Sequence, residues 1–65
     1  MPYATNSDLP VSVRAHLPAH AQDIYRRAFN SAWEHYDADE DIARRVAWAA
    51  VKRRYVKVGR DWVER

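Results

Sequence analysis

An apolar face that repeats at helical spacing along residues 19–36 constrains the fold more than any other feature of the sequence. Charged side chains, such as Arg26 and Arg27, fall on the opposite side of the same segment. A helix with one apolar face buries that face against a core. The sequence therefore predicts an amphipathic helix from about Ala19 to Tyr36. Its apolar positions are Ala21, Ile24, Tyr25, Ala28, Phe29, Ala32, Trp33 and Tyr36.

A shorter helix is predicted before this one. Leu9, Val13 and Leu17 recur at four-residue spacing, and the proline between the first two falls in the first turn, where a missing N–H is tolerated. Ser7 or Asp8 is the predicted N-cap. The proline that follows Leu17 is expected to end the helix.

A third helix is predicted from about Glu40 to Tyr55. The acidic residues before it suit the positive end of a helix, and Asp37 with Glu40 resembles a capping box. Its apolar positions cover a wide arc, which predicts a central helix. They are Ile42, Ala43, Val46, Ala47, Ala49, Ala50 and Val51.

The segments at the two termini predict a small sheet. Gly59 is the only glycine and suits a left-handed residue closing the third helix, after which Asp61 to Glu64 can be extended. The arm around Tyr3 is also expected to be extended. Because a lone ribbon is marginal in water, we expect the two arms to pair with each other and to lie on the helices.

Composition sets the kind of core. The 65 residues include eight aromatic side chains and no cysteine, so aromatic packing must replace the disulfides or thiolate metal sites that often support small domains. A chain of this length forms one core. We predict a mainly α (small α+β) fold in a single domain of residues 1–65, with three helices around one aromatic-rich core and a small two-stranded sheet pairing the N- and C-terminal arms.

Enzymatic chemistry is not expected from these residues. No cysteine nucleophile exists, the serines lie in no nucleophile-elbow motif, and one glycine cannot build a phosphate-binding loop. We therefore predict a protein that is not an enzyme and has no cofactor. No apolar segment is long enough to span a bilayer and no signal peptide is recognisable, so we expect a cytoplasmic protein without membrane insertion.

Two groups of residues resemble metal ligands in spacing only. His16 and His20 are four apart, but the intervening Pro18 makes a continuous helix between them improbable, which favours a structural or capping role. Asp37, Asp39 and Asp41 have the spacing of positions 1, 3 and 5 of a calcium loop. The sixth position of such a loop requires glycine and the twelfth requires glutamate, whereas this chain has Ile42 and Trp48 there. Capping and solvation are the favoured roles, with weak cation binding left open as a minor one.

The third helix carries the most suggestive surface. Cations alternate with aromatic rings there, as they do on surfaces that bind anions or nucleic acids. The alternative is that the two rings are core and the basic stems cover apolar surface. The predicted partner-binding residues are Arg44, Arg45, Trp48, Lys52, Arg53 and Tyr55.

Several segments, in order and spacing, resemble the ChaB family, whose members are named as cation transport regulators. They are Met1-Pro-Tyr3, Ser7-Asp-Leu-Pro10, Leu17-Pro-Ala-His20-Ala-Gln-Asp-Ile-Tyr25, Ala28-Phe-Asn-Ser-Ala-Trp33 and Val46-Ala-Trp-Ala-Ala-Val-Lys52. The resemblance implies three helices with a small two-stranded sheet. It also implies regulation of a sodium or calcium/proton antiporter from its cytoplasmic side. Longer members carry an extended charged loop where this chain has only Asp37 to Asp41.

Two functions remain open at this point. The first is a non-enzymatic regulatory or adaptor protein that binds another protein, which the family resemblance implies is the antiporter. The second is a small basic module that binds nucleic acid, which the isoelectric point of about 9.3 also favours.

Overall fold

The structure, a computed structural model, describes residues 2–65, so Met1 of the predicted arm lies outside the described residues. Three helices and a small two-stranded antiparallel sheet are present in that part of the chain, as predicted. In chain order the elements are a 3₁₀ turn (Asn6–Asp8), α1 (Val11–Arg14), α2 (Ala19–His35), α3 (Glu40–Arg54), β1 (Tyr55–Val58) and β2 (Asp61–Glu64).

Helix α2 forms where the apolar repeat predicts it. It begins after Pro18, whose extended backbone serves as the N-cap. Ile24 and Trp33 are half-buried beside the fully buried positions of the face. Tyr36 is the exception, because the helix has already ended at His35 and the ring is 47% exposed.

Helix α3 begins at Glu40, as predicted, but its cap is not the predicted one. Asp39 is its N-cap, and the Asp39 carboxylate accepts a hydrogen bond from the Ile42 backbone N–H at 3.1 Å. Asp37 and Ala38 have positive φ angles of 54° and 61° and form a left-handed turn. The prediction that Asp37 caps the helix is therefore wrong, since its backbone lies outside the helix start.

The buried face of α3 is narrower than predicted. Ala43, Ala47 and Val51 are fully buried, whereas Ala49 is exposed. The expectation of a central helix is therefore wrong. The small alanine side chains at the contact allow α2 and α3 to pack closely, and this pair makes the most extensive contact between elements.

The sheet is a C-terminal hairpin, so the predicted pairing of the N- and C-terminal arms is wrong. Strand β1 pairs with β2 in the register Val56 to Val63 and Lys57 to Trp62. Gly59 is left-handed as predicted, with φ of 63°, but it lies in the tight turn of the hairpin and does not close α3. A two-residue turn closes a shorter loop than pairing of the termini would, at a lower entropic cost.

The N-terminal arm packs on α2 instead. The Tyr3 backbone N–H donates to Asn30 Oδ1 at 2.8 Å, and Asn30 Nδ2 donates to the Tyr3 carbonyl at 2.8 Å. The Tyr3 ring lies 4.9 Å from that of Phe29, centroid to centroid. The Asn30 side-chain amide thus satisfies the backbone N–H and carbonyl of Tyr3, as a neighbouring strand would. These two groups therefore do not require a partner strand in the hairpin.

A single core is formed by residues 9–17, α2, α3 and β1. Each of these contributes side chains that are 5% exposed or less. The buried residues are Leu9, Val13, Leu17, Ala21, Tyr25, Phe29, Ala32, Ala43, Ala47, Val51 and Tyr55.

Candidate partner-binding surface

Helical geometry brings part of the predicted surface together on one side of α3. Arg44, Trp48 and Lys52 follow each other at four-residue spacing and so lie in one row, with Arg45 beside it. All three cations are exposed. We call these four residues the basic side of α3. Arg53 is also exposed, but it lies five positions after Trp48 and so about 140° further round the helix axis.

Trp48 is half-buried at the border between this surface and the core. Its ring meets Tyr25 of α2 edge to face, with centroids 5.2 Å apart. On its other side the ring centroid lies 5.7 Å from that of Trp62 in β2. Trp48 therefore has both of the roles considered from the sequence, since it packs on the core and remains partly accessible.

Tyr55 does not belong to the surface, contrary to the prediction. Because α3 ends at Arg54, Tyr55 begins β1 and its side chain turns inward, where it is 5% exposed. Its hydroxyl forms a hydrogen bond with His20 Nδ1 at 3.1 Å. The alternative in which this ring is core is the correct one.

The two histidines suggested by spacing have separate local partners. His16 Nδ1 contacts the Ser12 carbonyl at 2.7 Å, while His20 faces Tyr55. Across residues 2–65, no three His, Cys, Asp or Glu side chains lie close enough together to hold a metal ion. The acidic turn before α3 is exposed and includes the Asp39 cap.

Basic residues dominate the sequence from the second turn of α3 to the turn of the hairpin. Between Asp41 and Asp61 the sequence contains seven basic residues and no acidic one. Within the described residues, the only one of the seven with an ion pair is Arg44, whose guanidinium lies 3.4 Å from Glu40 and 3.9 Å from Asp41. The remaining cations, from Arg45 to Arg60, have no acidic side chain to offset them in that part of the chain.

The hairpin adds two residues that the sequence analysis did not assign to the surface. Lys57 and Trp62 are cross-strand partners on the face of the hairpin that also carries Tyr55. Together with Trp48, Lys52 and, from α1 and the turn after it, Ser12 and His16, they line an open groove of about 320 Å³. We call this the tryptophan groove. The glycine turn and the alternation around Lys57 were the signals that could have indicated these residues.

No helix in the described part of the chain combines the length and the apolar character that crossing a bilayer requires. The longest, α2, carries charged residues along one face, including Asp23 and Arg27. Asp23 is tied to the N-terminal segment, because Asn6 Nδ2 donates to its carboxylate at 2.8 Å and this bond lowers the pKa of Asp23.

Two proteins from different sources resemble this chain over more than four fifths of its length. A protein of Escherichia coli strain K12 named "Putative cation transport regulator ChaB" is 56% identical, over 88% of this chain and 87% of its own length. That alignment extends over 66 positions, one more than the whole chain, so the relative contains residues that this chain lacks. An "Uncharacterized protein in LEF8-FP intergenic region" of Lymantria dispar multicapsid nuclear polyhedrosis virus is 34% identical, over 82% of this chain and 75% of its own.

The fold and the family profile agree with these relatives. An NMR solution structure named for the same cation transport regulator superimposes with a TM-score of 0.88 at 50% identity, covering 98% of this chain and 99% of that one. The sequence profile of the ChaB family matches residues 9–65. The chain belongs to the ChaB family.

Proposed function

We propose that this protein is a non-enzymatic regulator of cation transport that acts by binding another protein through the basic side of α3. The name of the Escherichia coli relative, "Putative cation transport regulator ChaB", supports the regulatory role. The proposed partner is a sodium or calcium/proton antiporter, bound from its cytoplasmic side. The whole of residues 1–65 would act as one binding domain, without a cofactor.

The observation that carries this proposal is the uncompensated positive charge beside a half-buried tryptophan. Interfaces are enriched in tryptophan and arginine, and complementary charge guides partners into register. Here Arg45 and Lys52 are exposed next to Trp48, and neither has an ion pair in the described part of the chain. Arg53 extends the positive surface around the helix.

Capture of the antiporter from membranes by the tagged protein tests the proposal. Charge reversal by Arg45→Glu together with Lys52→Glu should abolish capture, because attraction becomes repulsion. The single variants Arg45→Glu and Lys52→Glu should each weaken capture. Their matched control is Arg27→Glu on the exposed face of α2, which makes the same change of net charge and should leave capture intact. Circular dichroism should be the same for all variants. Capture that survives the double charge reversal would contradict the proposal.

Nucleic-acid binding is the second candidate, favoured by the run of seven basic residues without an acidic one. Binding of this electrostatic kind weakens steeply as salt rises. A mobility-shift titration with DNA and RNA at low salt measures it directly. Absence of any shift at low salt would exclude this candidate.

A further inference from the structure

The tryptophan groove lies where three parts of the fold meet, since its lining comes from the α1 region, from α3 and from the hairpin. Lys52 of α3 and Lys57 of β1 are both exposed there. The rings of Trp48 and Trp62 also line it, with their planes inclined by 33°. The site therefore combines two indole rings with two lysine ammonium groups.

Such a lining suits a ligand that combines an apolar group with carboxylates. Indole rings stabilise an apolar side chain by burying its surface. The ammonium groups of Lys52 and Lys57 attract carboxylates and repel cations. No aspartate or glutamate is among the groove's lining residues in the described part of the chain.

We propose that the tryptophan groove binds an extended acidic peptide segment of a partner protein. One apolar side chain of that segment lies over Trp48 and Trp62, and its carboxylates contact Lys52 and Lys57. This inference rests on the proposed function, and it adds both the chemistry of the partner and the part that the hairpin has in binding.

The arrangement of the rings favours a peptide over a nucleic acid. Single-stranded nucleic acids bind by stacking bases on open aromatic faces. Trp48 packs against Tyr25 and Trp62, and both tryptophans are half-buried, so the ring surface that remains accessible suits one aliphatic side chain better than stacked bases. Glu40 and Asp41 also place negative charge at the start of α3, where a phosphate backbone that followed the helix would be repelled.

Isothermal titration of the full chain with synthetic peptides tests the inference. The probe is a short peptide of glutamates around a central leucine, and its counterpart has lysines in place of the glutamates. We expect the acidic peptide alone to bind, and Lys57→Glu to weaken it about tenfold or more through charge repulsion. Arg27→Glu makes the same change of net charge away from the groove and should bind as the unmodified protein does.

One further peptide and one competing oligonucleotide complete the test. Replacing the central leucine with serine should also weaken binding, because the two indole rings then lose their apolar contact. Equal binding of the lysine peptide, equal weakening by Arg27→Glu, or displacement of the acidic peptide by an oligothymidine would overturn the inference.

Its failure is distinguishable from failure of the proposed function. If antiporter capture persists while the acidic peptide does not bind, the inference about the groove is overturned and the proposed function remains intact. Peptide binding without antiporter capture would support the groove and contradict the proposed partner.

Discussion

Trp48 of α3 and Trp62 of β2 hold the hairpin against the helices, with ring centroids 5.7 Å apart. Apart from this contact the hairpin is largely exposed, since only Tyr55 among its strand residues is buried and Trp62 is half-buried. A two-stranded ribbon alone is marginal in water. The tryptophan pair therefore fixes the position of the hairpin, including the groove residues Lys57 and Trp62.

A double-mutant cycle should measure the coupling of this pair. We expect Trp48→Leu and Trp62→Leu each to lower the free energy of unfolding. The loss in the double variant should differ from the sum of the two single losses by a coupling free energy of about 0.5 to 1.5 kcal/mol, as for other aromatic pairs. Urea unfolding followed by circular dichroism provides the values. Strict additivity would mean that the rings do not interact in solution.

Asn30 should anchor the N-terminal arm. Asn30→Ala removes both hydrogen bonds to the Tyr3 backbone, and we expect a loss of about 1 to 3 kcal/mol in the free energy of unfolding. Amide hydrogen exchange at Tyr3 should accelerate in the same variant. Ser31→Ala changes an exposed neighbour on α2 and is the control. Unchanged exchange at Tyr3 would contradict this contact.

Asp39 should be the residue that caps α3. Asp39→Ala removes the acceptor for the Ile42 N–H, and we expect a cost of about 1 kcal/mol. Asp39→Asn retains an acceptor and should restore most of that stability. Asp37→Asn, in the left-handed turn, should have little effect, because asparagine tolerates a positive φ. Thermal unfolding distinguishes them, and a larger loss at Asp37 would restore the cap expected from the sequence.

Burial raises the pKa of Tyr25, so the fold favours the neutral phenol. Its contribution to stability should be complete below the pKa of the unfolded chain, about 10, and should be lost as pH rises through the higher folded value. Tyr25→Phe should therefore show a shallower fall in the free energy of unfolding above about pH 10 than the unmodified protein. Tyr36→Phe, at an exposed ring, is the control. Parallel curves for Tyr25→Phe and the unmodified protein would contradict the assignment.

Local patterns in the sequence predicted α2 well, whereas α1 is shorter than its apolar spacing suggested and has Pro10 at its N-cap instead of Ser7 or Asp8. The bounds of α2 follow from its apolar repeat and from Pro18, and Gly59 was correctly expected to be left-handed. These features depend on neighbours in the chain. The pairing of the strands, in contrast, depended on where α3 stops, and the apolar repeat continues through Val51 to Tyr55 without a break that marks the end at Arg54.

The candidate surface was predicted only in part for the same reason. Helical spacing was enough to bring Arg44, Trp48 and Lys52 together. Tyr55 fits that spacing too, but it leaves the helix and becomes core. Trp62 contacts Trp48 only through tertiary packing of the hairpin, a contact that no local pattern contains.

The three tryptophan indole N–H signals in one ¹H–¹⁵N spectrum test the central claim most directly. Trp48 and Trp62 line the groove, whereas Trp33 lies by Tyr3 and Phe29 and is an internal control. On titration with the acidic peptide, we expect the signals of Trp48 and Trp62 to shift together while that of Trp33 stays in place. A shift of Trp33 alone, or no shift of any indole at saturating peptide, would contradict the account.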